Sequence, residues 1–133
     1  MKVFVLNQTL CWNKQYVRHT NEREGKKIVY ISERRRKKTG NFLFVSGHPP
    51  PMEFGVAVFG KVGATITEEE AVISARATGL NMLASIKQQL GDLQKIYRIV
   101  KLNGMVNSAP GFQRQFAVID GASNLFLTTL TLV

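Results

Sequence analysis

Stretches rich in valine, isoleucine, phenylalanine and tyrosine recur along the chain, and polar or proline-containing stretches separate them. Branched and aromatic side chains favour extended backbone, so each such stretch predicts a strand. The predicted strands are Lys2–Leu6, Lys27–Ser32, Asn41–Ser46, Val56–Val62 and Lys95–Val106. A loop is predicted between the third and fourth, because Pro49–Pro51 has no backbone N–H to donate.

Hydrophobic positions at helical spacing follow Thr67. Thr67 and Glu70 have the spacing of a capping box. The predicted helix runs to about Leu90, and Gly91 suits a left-handed residue at its end. Its apolar side is predicted to hold Val72, Ile73, Leu80, Leu83, Ile86 and Leu90. A close approach to a sheet is predicted at the small residues Ala71, Ala75 and Gly79.

The long strand Lys95–Val106 has two different predicted faces, because side chains alternate along a strand. The face expected to pack on a helix holds, apart from Arg98, the residues Ile96, Val100, Leu102, Gly104 and Val106. The other face is mixed and suits a cleft or a partner subunit, with Tyr97, Ile99, Lys101, Asn103 and Met105.

A turn around Pro110 and a second helix are predicted next. Asn107–Gly111 reads as the turn, and Asp120 is expected to cap a helix that begins at Gly121. Leu125 and Phe126 are expected to face inward. The tail Leu127–Val133 is rich in threonine and branched residues, so it is predicted to fit a helix poorly.

The predicted order of elements is strand, strand, helix, strand and partial helix. This order suggests an α+β layer, in which the helices cover one face of a mostly antiparallel sheet.

Charge divides the chain near Thr39 and Gly40. Residues 1–40 hold 11 Lys or Arg against 3 Asp or Glu, a net charge of +8, whereas residues 41–133 hold 7 against 6. We therefore predict an atypical basic segment at 1–39 and a separate domain at 40–133.

No apolar stretch approaches the roughly 20 residues of a membrane helix. The lone Cys11 excludes an internal disulfide framework and favours a reducing compartment.

Few residues suggest chemistry by their spacing alone. His19 and His48 have no Cys, His or Asp partners at ligand spacing, so no metal site is expected. No nucleophile and base stand out, and Asp92, Asp120 and Glu68–Glu70 are explained by helix capping or the helix dipole. His48 is expected to fix the turn before the prolines, with a ligand contact as the alternative.

A five-residue cationic run lies just before this division, at Arg34, Arg35, Arg36, Lys37 and Lys38. It could contact nucleic-acid phosphates. No aromatic residue interrupts the run, so a solvated strand end or arm is the favoured interpretation.

Three stretches resemble one known family. They are GNFLFVSGH at 40–48, GKVG at 60–63, and the long run from Gly91 to Phe126 that includes GMVNSAP and GASNLF. They resemble the YjgF/RidA family, also called the endoribonuclease L-PSP family. The resemblance implies a chorismate-mutase-like α+β domain with a mixed sheet and two helices on one face. It also implies a homotrimer that holds a small molecule between subunits, in the cytoplasm or mitochondria, without a cofactor.

The resemblance also implies a chemistry. Well-studied relatives hydrolyse enamine or imine intermediates, and an arginine on a strand after the GASNLF helix binds the substrate carboxylate. No arginine follows that helix here, and Arg114 precedes it. We therefore expect a domain that is incomplete at its C-terminus, without deaminase activity. Lys2–Leu6 and Lys27–Ser32 could pair in place of the absent strands, or Thr128–Val133 could itself extend as a short strand.

Two functions follow as hypotheses. The first is a deaminase-like or metabolite-binding protein, with cleft candidates at Ser46, His48, Asn103, Asn107 and Ser108. These residues lie in the GNFLFVSGH motif, on the mixed face of the long strand, and at that strand's end. For Asn107 and Ser108, building the turn is the alternative role. The second function is a non-enzymatic protein whose basic arm contacts RNA or another acidic partner.

Overall fold

The computed structural model describes residues 2–9, 37–39, 42–52 and 58–130, and side chains from residue 42 onward. The elements in chain order are strands β1 (Lys2–Thr9), β2 (Lys37–Thr39) and β3 (Phe42–Val45), helix α1 (Glu68–Leu90), strand β4 (Arg98–Met105) and helix α2 (Gln115–Leu130). A short 3-10 turn at Leu93–Lys95 connects α1 to β4. The predicted strand Lys27–Ser32 lies outside the described residues.

The described strands form one mixed sheet in the order β2-β3-β1-β4. β1 runs parallel to both β3 and β4, and β2 runs antiparallel to β3. The expectation of a mostly antiparallel sheet was therefore wrong. α1 carries the chain back after β3, and this crossover lets β4 run in the same direction as β3. Lys2–Leu6, predicted as a strand, is confirmed within β1, which lies between β3 and β4.

The predicted strand Val56–Val62 does not form over the residues described from 58 onward. Val62 makes only isolated bridges, to Ile66 and to Ser108. The reason is a tight turn, since the carbonyl oxygen of Lys61 accepts hydrogen bonds from the N–H groups of residues 64, 65 and 66. Val62 still joins the chain after β4, because its N–H donates to Asn107 O (3.0 Å) and its oxygen accepts from Ala109 N (2.9 Å).

α1 begins and ends as the sequence predicts. The Thr67 side chain accepts from the Glu70 N–H, and the Glu70 carboxylate accepts from the Thr67 N–H, so the capping box is complete. At the other end Gly91 has φ 80°, and its N–H donates to Lys87 O (2.7 Å). Glycine takes this left-handed conformation without the clash that a Cβ would cause.

The buried face of α1 differs from the predicted one. Ile73 and Leu80 are more than half exposed, so their predicted inward position was wrong. The buried residues are mostly small, namely Ala71, Ser74, Ala75, Thr78, Gly79, Met82, Leu83, Ser85, Ile86 and Leu90. The prediction relied on large apolar side chains. This face packs closely against α2, and only small residues allow that approach.

α1 and α2 run parallel and touch almost backbone to backbone. Gly79 lies against Ala122 and Leu125, while Gly121 lies against the Val72 oxygen and Ala75. The small residues Ala75 and Gly79 therefore admit α2, and not a sheet as predicted. Together the helices cover one face of the sheet, with Leu43, Val45, Met82, Ile86, Ala122 and Phe126 in the largest buried cluster.

α2 is longer than predicted at both ends. It begins at Gln115, so Asp120 lies inside the helix and does not cap it. The helix continues to Leu130, so the predicted poor fit of residues 127–130 was wrong. The Thr128 hydroxyl bonds to the carbonyl oxygens of Asn124 and Leu125, which lets this residue sit within a helix. The inward positions of Leu125 and Phe126 are confirmed.

A register shift changes the faces of β4. Val3 pairs with Ile99 and Phe4 with Lys101, so Val100 is an extra residue opposite β1. One extra residue reverses the alternation of side chains. Ile99 and Leu102 consequently both pack on the helix-side core, although they were predicted on opposite faces. Val100, predicted to pack on a helix, is exposed.

We expect Gly121→Ala to destabilise the protein although alanine is the better helix former. The new Cβ would lie 2.5 Å from the Val72 oxygen, and backbone cannot move aside as a side-chain tip can. Overpacking of this kind lowers the free energy of unfolding by about 1–3 kcal/mol. Urea unfolding measures the change. Asn124→Ala on the exposed side of α2 is the control, and equal stability of both variants would contradict the packing.

Candidate functional site

A groove lies between the edge of β4 and helix α2. Its volume is about 560 Å³, and it is lined by Leu102, Asn103, Gly104, Met105, Phe116, Ile119 and Asp120. Gly104 makes the floor possible, because a Cβ at this position would overlap the Ile119 side chain. The groove therefore depends on close contact between one strand residue and one helix residue.

The groove has a mixed lining of apolar and polar groups. Leu102, Met105, Phe116 and Ile119 supply the apolar surface, and the polar side chains belong to Asn103 and Asp120. Met105 is 48% exposed and Phe116 63% exposed, so both side chains present apolar surface at the groove. Concave apolar surface with a few placed polar groups is typical of sites that bind small molecules.

Arg114 lies beside this groove but is paired elsewhere. Its guanidinium carbon is 5.7 Å from the centre of the Phe116 ring. The same guanidinium forms a fork of two hydrogen bonds with the Glu68 carboxylate. Nε donates to Oε2 at 2.8 Å, and Nη2 donates to Oε1 at 2.9 Å. Hydrogen bonding by Arg114 lowers the pKa of the Glu68 carboxyl and in turn raises the pKa of Arg114. The contact joins the starts of the two helices.

His48 is buried, with 4% of its surface exposed. Its Nδ1 lies 2.8 Å from Ser46 O, and its Nε2 lies 2.8 Å from the Ser85 hydroxyl. A carbonyl oxygen only accepts, so Nδ1 carries a proton, and in the neutral ring Nε2 accepts from Ser85. The ring thus connects the end of β3 to the middle of α1. Nearby, Asn81 Nδ2 donates to Pro49 O at 3.3 Å.

Asn107 and Ser108 build the chain reversal after β4. Asn107 Nδ2 donates to Gly60 O at 2.7 Å, and Ser108 Oγ accepts from Gln115 Nε2 at 3.1 Å. Gln115 also donates to Phe112 O at 2.6 Å. These bonds attach the 58–66 region and the start of α2 to the same turn.

The five predicted cleft residues therefore occupy three places. Ser46 and His48 contact each other, Asn107 and Ser108 share the turn, and only Asn103 lines the groove. In the basic run, 34–36 lie outside the described residues, and Lys37 and Lys38 belong to β2. Sequence reasoning missed the residues of α2 that line the groove, Phe116, Ile119 and Asp120. Their helical spacing was visible, but the helix was predicted to begin only at Gly121.

A family model described as YjgF/chorismate-mutase-like, for which an endoribonuclease activity has been proposed, matches residues 34–132. The chain belongs to this family. The predicted α+β fold with a chorismate-mutase-like mixed sheet is thereby confirmed. The match includes β2 through α2, and thus every residue that lines the groove.

Two relatives show how far the similarity extends. Protein TCP17 of Trypanosoma cruzi is 41% identical over 90 residues, which are 68% of this chain and 56% of that protein. The crystal structure of Atu1372, a protein of unknown function from Agrobacterium tumefaciens, is 44% identical with a TM-score of 0.68. That similarity covers 72% of this chain and 63% of the Atu1372 chain. The chain thus spans less than two thirds of either relative.

In the part of the chain that the structure describes, no three His, Cys, Asp or Glu side chains lie together as metal ligands. No helix among the same residues has the length and apolar character needed to cross a bilayer.

We expect Ser85→Ala to lower the free energy of unfolding by about 1–3 kcal/mol, because the buried ring of His48 loses the hydroxyl at its Nε2. Chemical denaturation measures the loss. Ser123→Ala makes the same change on α2 at a half-buried position and serves as the control. If the two variants were equally stable, the His48–Ser85 bond would contribute nothing measurable.

We expect the Glu68–Arg114 pair to stabilise the protein in a pH-dependent way. The folded-state pKa of Glu68 is lowered from 4.5, so its stabilisation is fully present above that value. It is lost as pH falls through the lowered folded-state pKa, where the carboxylate takes up a proton. Melting temperatures of wild type and Glu68→Gln should therefore differ at pH 7 and converge in acid. A constant difference at all pH values would contradict this origin.

Proposed function

We propose that this protein binds a small molecule in the groove between β4 and α2. The observation that carries the proposal is the groove itself, which is lined by four apolar side chains, one amide and one carboxylate. A ligand with an apolar body and a hydrogen-bonding group would bury Met105 and Phe116, which are otherwise exposed. Membership of the YjgF family supports a metabolite as the ligand class.

We propose that the protein binds its ligand and does not hydrolyse imines. The family resemblance implies a hydrolysis in which an arginine binds the substrate carboxylate. Among the described residues the arginines are Arg76, Arg98 and Arg114, and none of them lines the groove. Arg114, which lies over the Phe116 ring, is held by Glu68. Such a cation holds the substrate by its carboxylate, so that water can attack the imine carbon.

RNA binding remains the second hypothesis, supported by the net charge of +8 in residues 1–40. It predicts affinity that falls steeply with salt. The homotrimer, the cytoplasmic location and the division of the chain at residue 40 also stay predictions.

A thermal-shift screen of metabolites followed by calorimetric titration of the best ligand tests the proposal. We expect Phe116→Ala to weaken binding about tenfold or more, because the lost ring removes apolar contact area. Leu80→Ala, at an exposed position on α1, should leave the affinity unchanged. Asn107→Ala separates the alternatives for that residue, since unchanged affinity means that it only builds the turn.

Two further results of the same work would count against the proposal. Equal affinity in wild type and Phe116→Ala would place the ligand elsewhere. Ammonia release from a dehydratase-generated enamine, faster than with heat-killed protein, would show an active deaminase. The second hypothesis is tested by measuring RNA affinity at two salt concentrations, with and without residues 34–38.

A further inference from the structure

Asp120 has no structural role in the described part of the chain. Its carboxylate takes part in no hydrogen bond or ion pair there. It lies inside α2 and therefore does not cap the helix, and aspartate is among the weaker helix formers. Among the described residues that line the groove, it is also the only ionisable side chain. The local fold thus does not account for this residue, whereas a role in the groove does.

The charges around the groove leave Asp120 without a counter-ion. Arg114, whose guanidinium lies over the Phe116 ring, is matched by the Glu68 carboxylate at 2.8 Å. That pair has no net charge, and no lysine or arginine is among the described groove residues. The lining therefore carries a negative charge that a bound cation would neutralise.

Hydrogen-bonding capacity points to the same kind of ligand. An ionised carboxylate accepts hydrogen bonds and donates none. A ligand carboxylate or phosphate would meet like charge at Asp120 and would find no donor there. An ammonium group instead brings three donors and the opposite charge, so both requirements of the Asp120 carboxylate are satisfied by one group.

The spacing along α2 sets the shape of the ligand. Phe116, Ile119 and Asp120 lie on one face of the helix, because residues three and four positions apart are neighbours on its surface. Phe116 precedes Asp120 by about one turn, which is roughly 5.4 Å along the axis. The Phe116 ring is 63% exposed with Arg114 in place, so it can still pack against a ligand. A ligand that reaches both residues has its cation about 5 Å from its apolar body.

We propose that the groove selects organic cations, namely primary amines whose ammonium group is joined to an apolar or aromatic body by a short spacer. Asp120 determines this specificity by accepting a charge-assisted hydrogen bond, while Phe116 and Met105 contact the apolar body. The assignment rests on the ligand binding proposed above and names the class of ligand. Because Asp120 is exposed, we expect a preference of about two- to fivefold that weakens as salt is added.

Three probes of similar size and different charge test the assignment. Phenethylamine, phenethyl alcohol and hydrocinnamate each carry a benzene ring, with a cation, a neutral hydroxyl and an anion respectively. Chemical-shift titrations of the 14.9 kDa chain at low ionic strength measure their affinities. The amine should bind about two- to fivefold tighter than the alcohol, and hydrocinnamate should bind most weakly.

Variants of Asp120 show whether this residue causes the order. Asp120→Asn keeps the size of the side chain and removes its charge, so amine and alcohol should bind equally. Asp120→Lys should reverse the order and make hydrocinnamate the tightest probe. Glu69→Gln is the matched control, because it removes one negative charge at an exposed position of α1 and should leave the preference unchanged. Far-UV circular dichroism checks the fold, and Asp120→Ser replaces Asp120→Asn if that variant is unfolded.

The outcomes separate this assignment from ligand binding as such. No binding of phenethylamine, equal affinity for amine and alcohol, or an amine preference that persists in Asp120→Asn would overturn the assignment. Each of these results leaves groove binding standing, provided that Phe116→Ala still weakens the metabolite found by the thermal-shift screen. If Phe116→Ala changed neither that metabolite nor the three probes, both proposals would fail.

Discussion

The contact between α1 and α2 is the constraint on which the rest of the described structure depends. Gly121 lies against the Val72 oxygen, and Gly79 lies against Ala122, so the two helix backbones are as close as side chains allow. This distance sets where α2 lies over the sheet. Because α2 reaches β4 at Gly104, with Ile119 in contact there, the same distance sets the width of the groove.

Local signals predicted the ends of α1 well, and long-range contacts explain what they missed. The capping box at Thr67 and the left-handed Gly91 involve neighbours in sequence, so their residue types are sufficient. Which side of α1 is buried depends on α2, a partner that no local pattern reveals. Ile73 and Leu80 satisfied helical spacing and still lie outside, because the neighbouring helix selects small residues.

The candidate site was predicted only in part for a similar reason. Asn103, one of the predicted cleft residues, lines the groove because its strand was recognised, and its contact with a ligand stays a prediction. The extra residue at Val100 could not be foreseen, since a register shift belongs to the pairing with β1 and not to β4 alone. Phe116, Ile119 and Asp120 were missed because Asp120 looked like a helix cap. His48 was named as a cleft candidate from its motif, but its described hydrogen bonds connect β3 to α1.

The fork between Glu68 and Arg114 has a consequence for how the molecule opens. Helix ends ordinarily fray independently, since each first turn has few bonds to hold it. Here the first residue of α1 and the residue just before α2 hold each other across 46 positions of the chain. Unwinding of either first turn therefore breaks the fork. Arg114, whose guanidinium lies over the Phe116 ring, then no longer holds its place beside the groove.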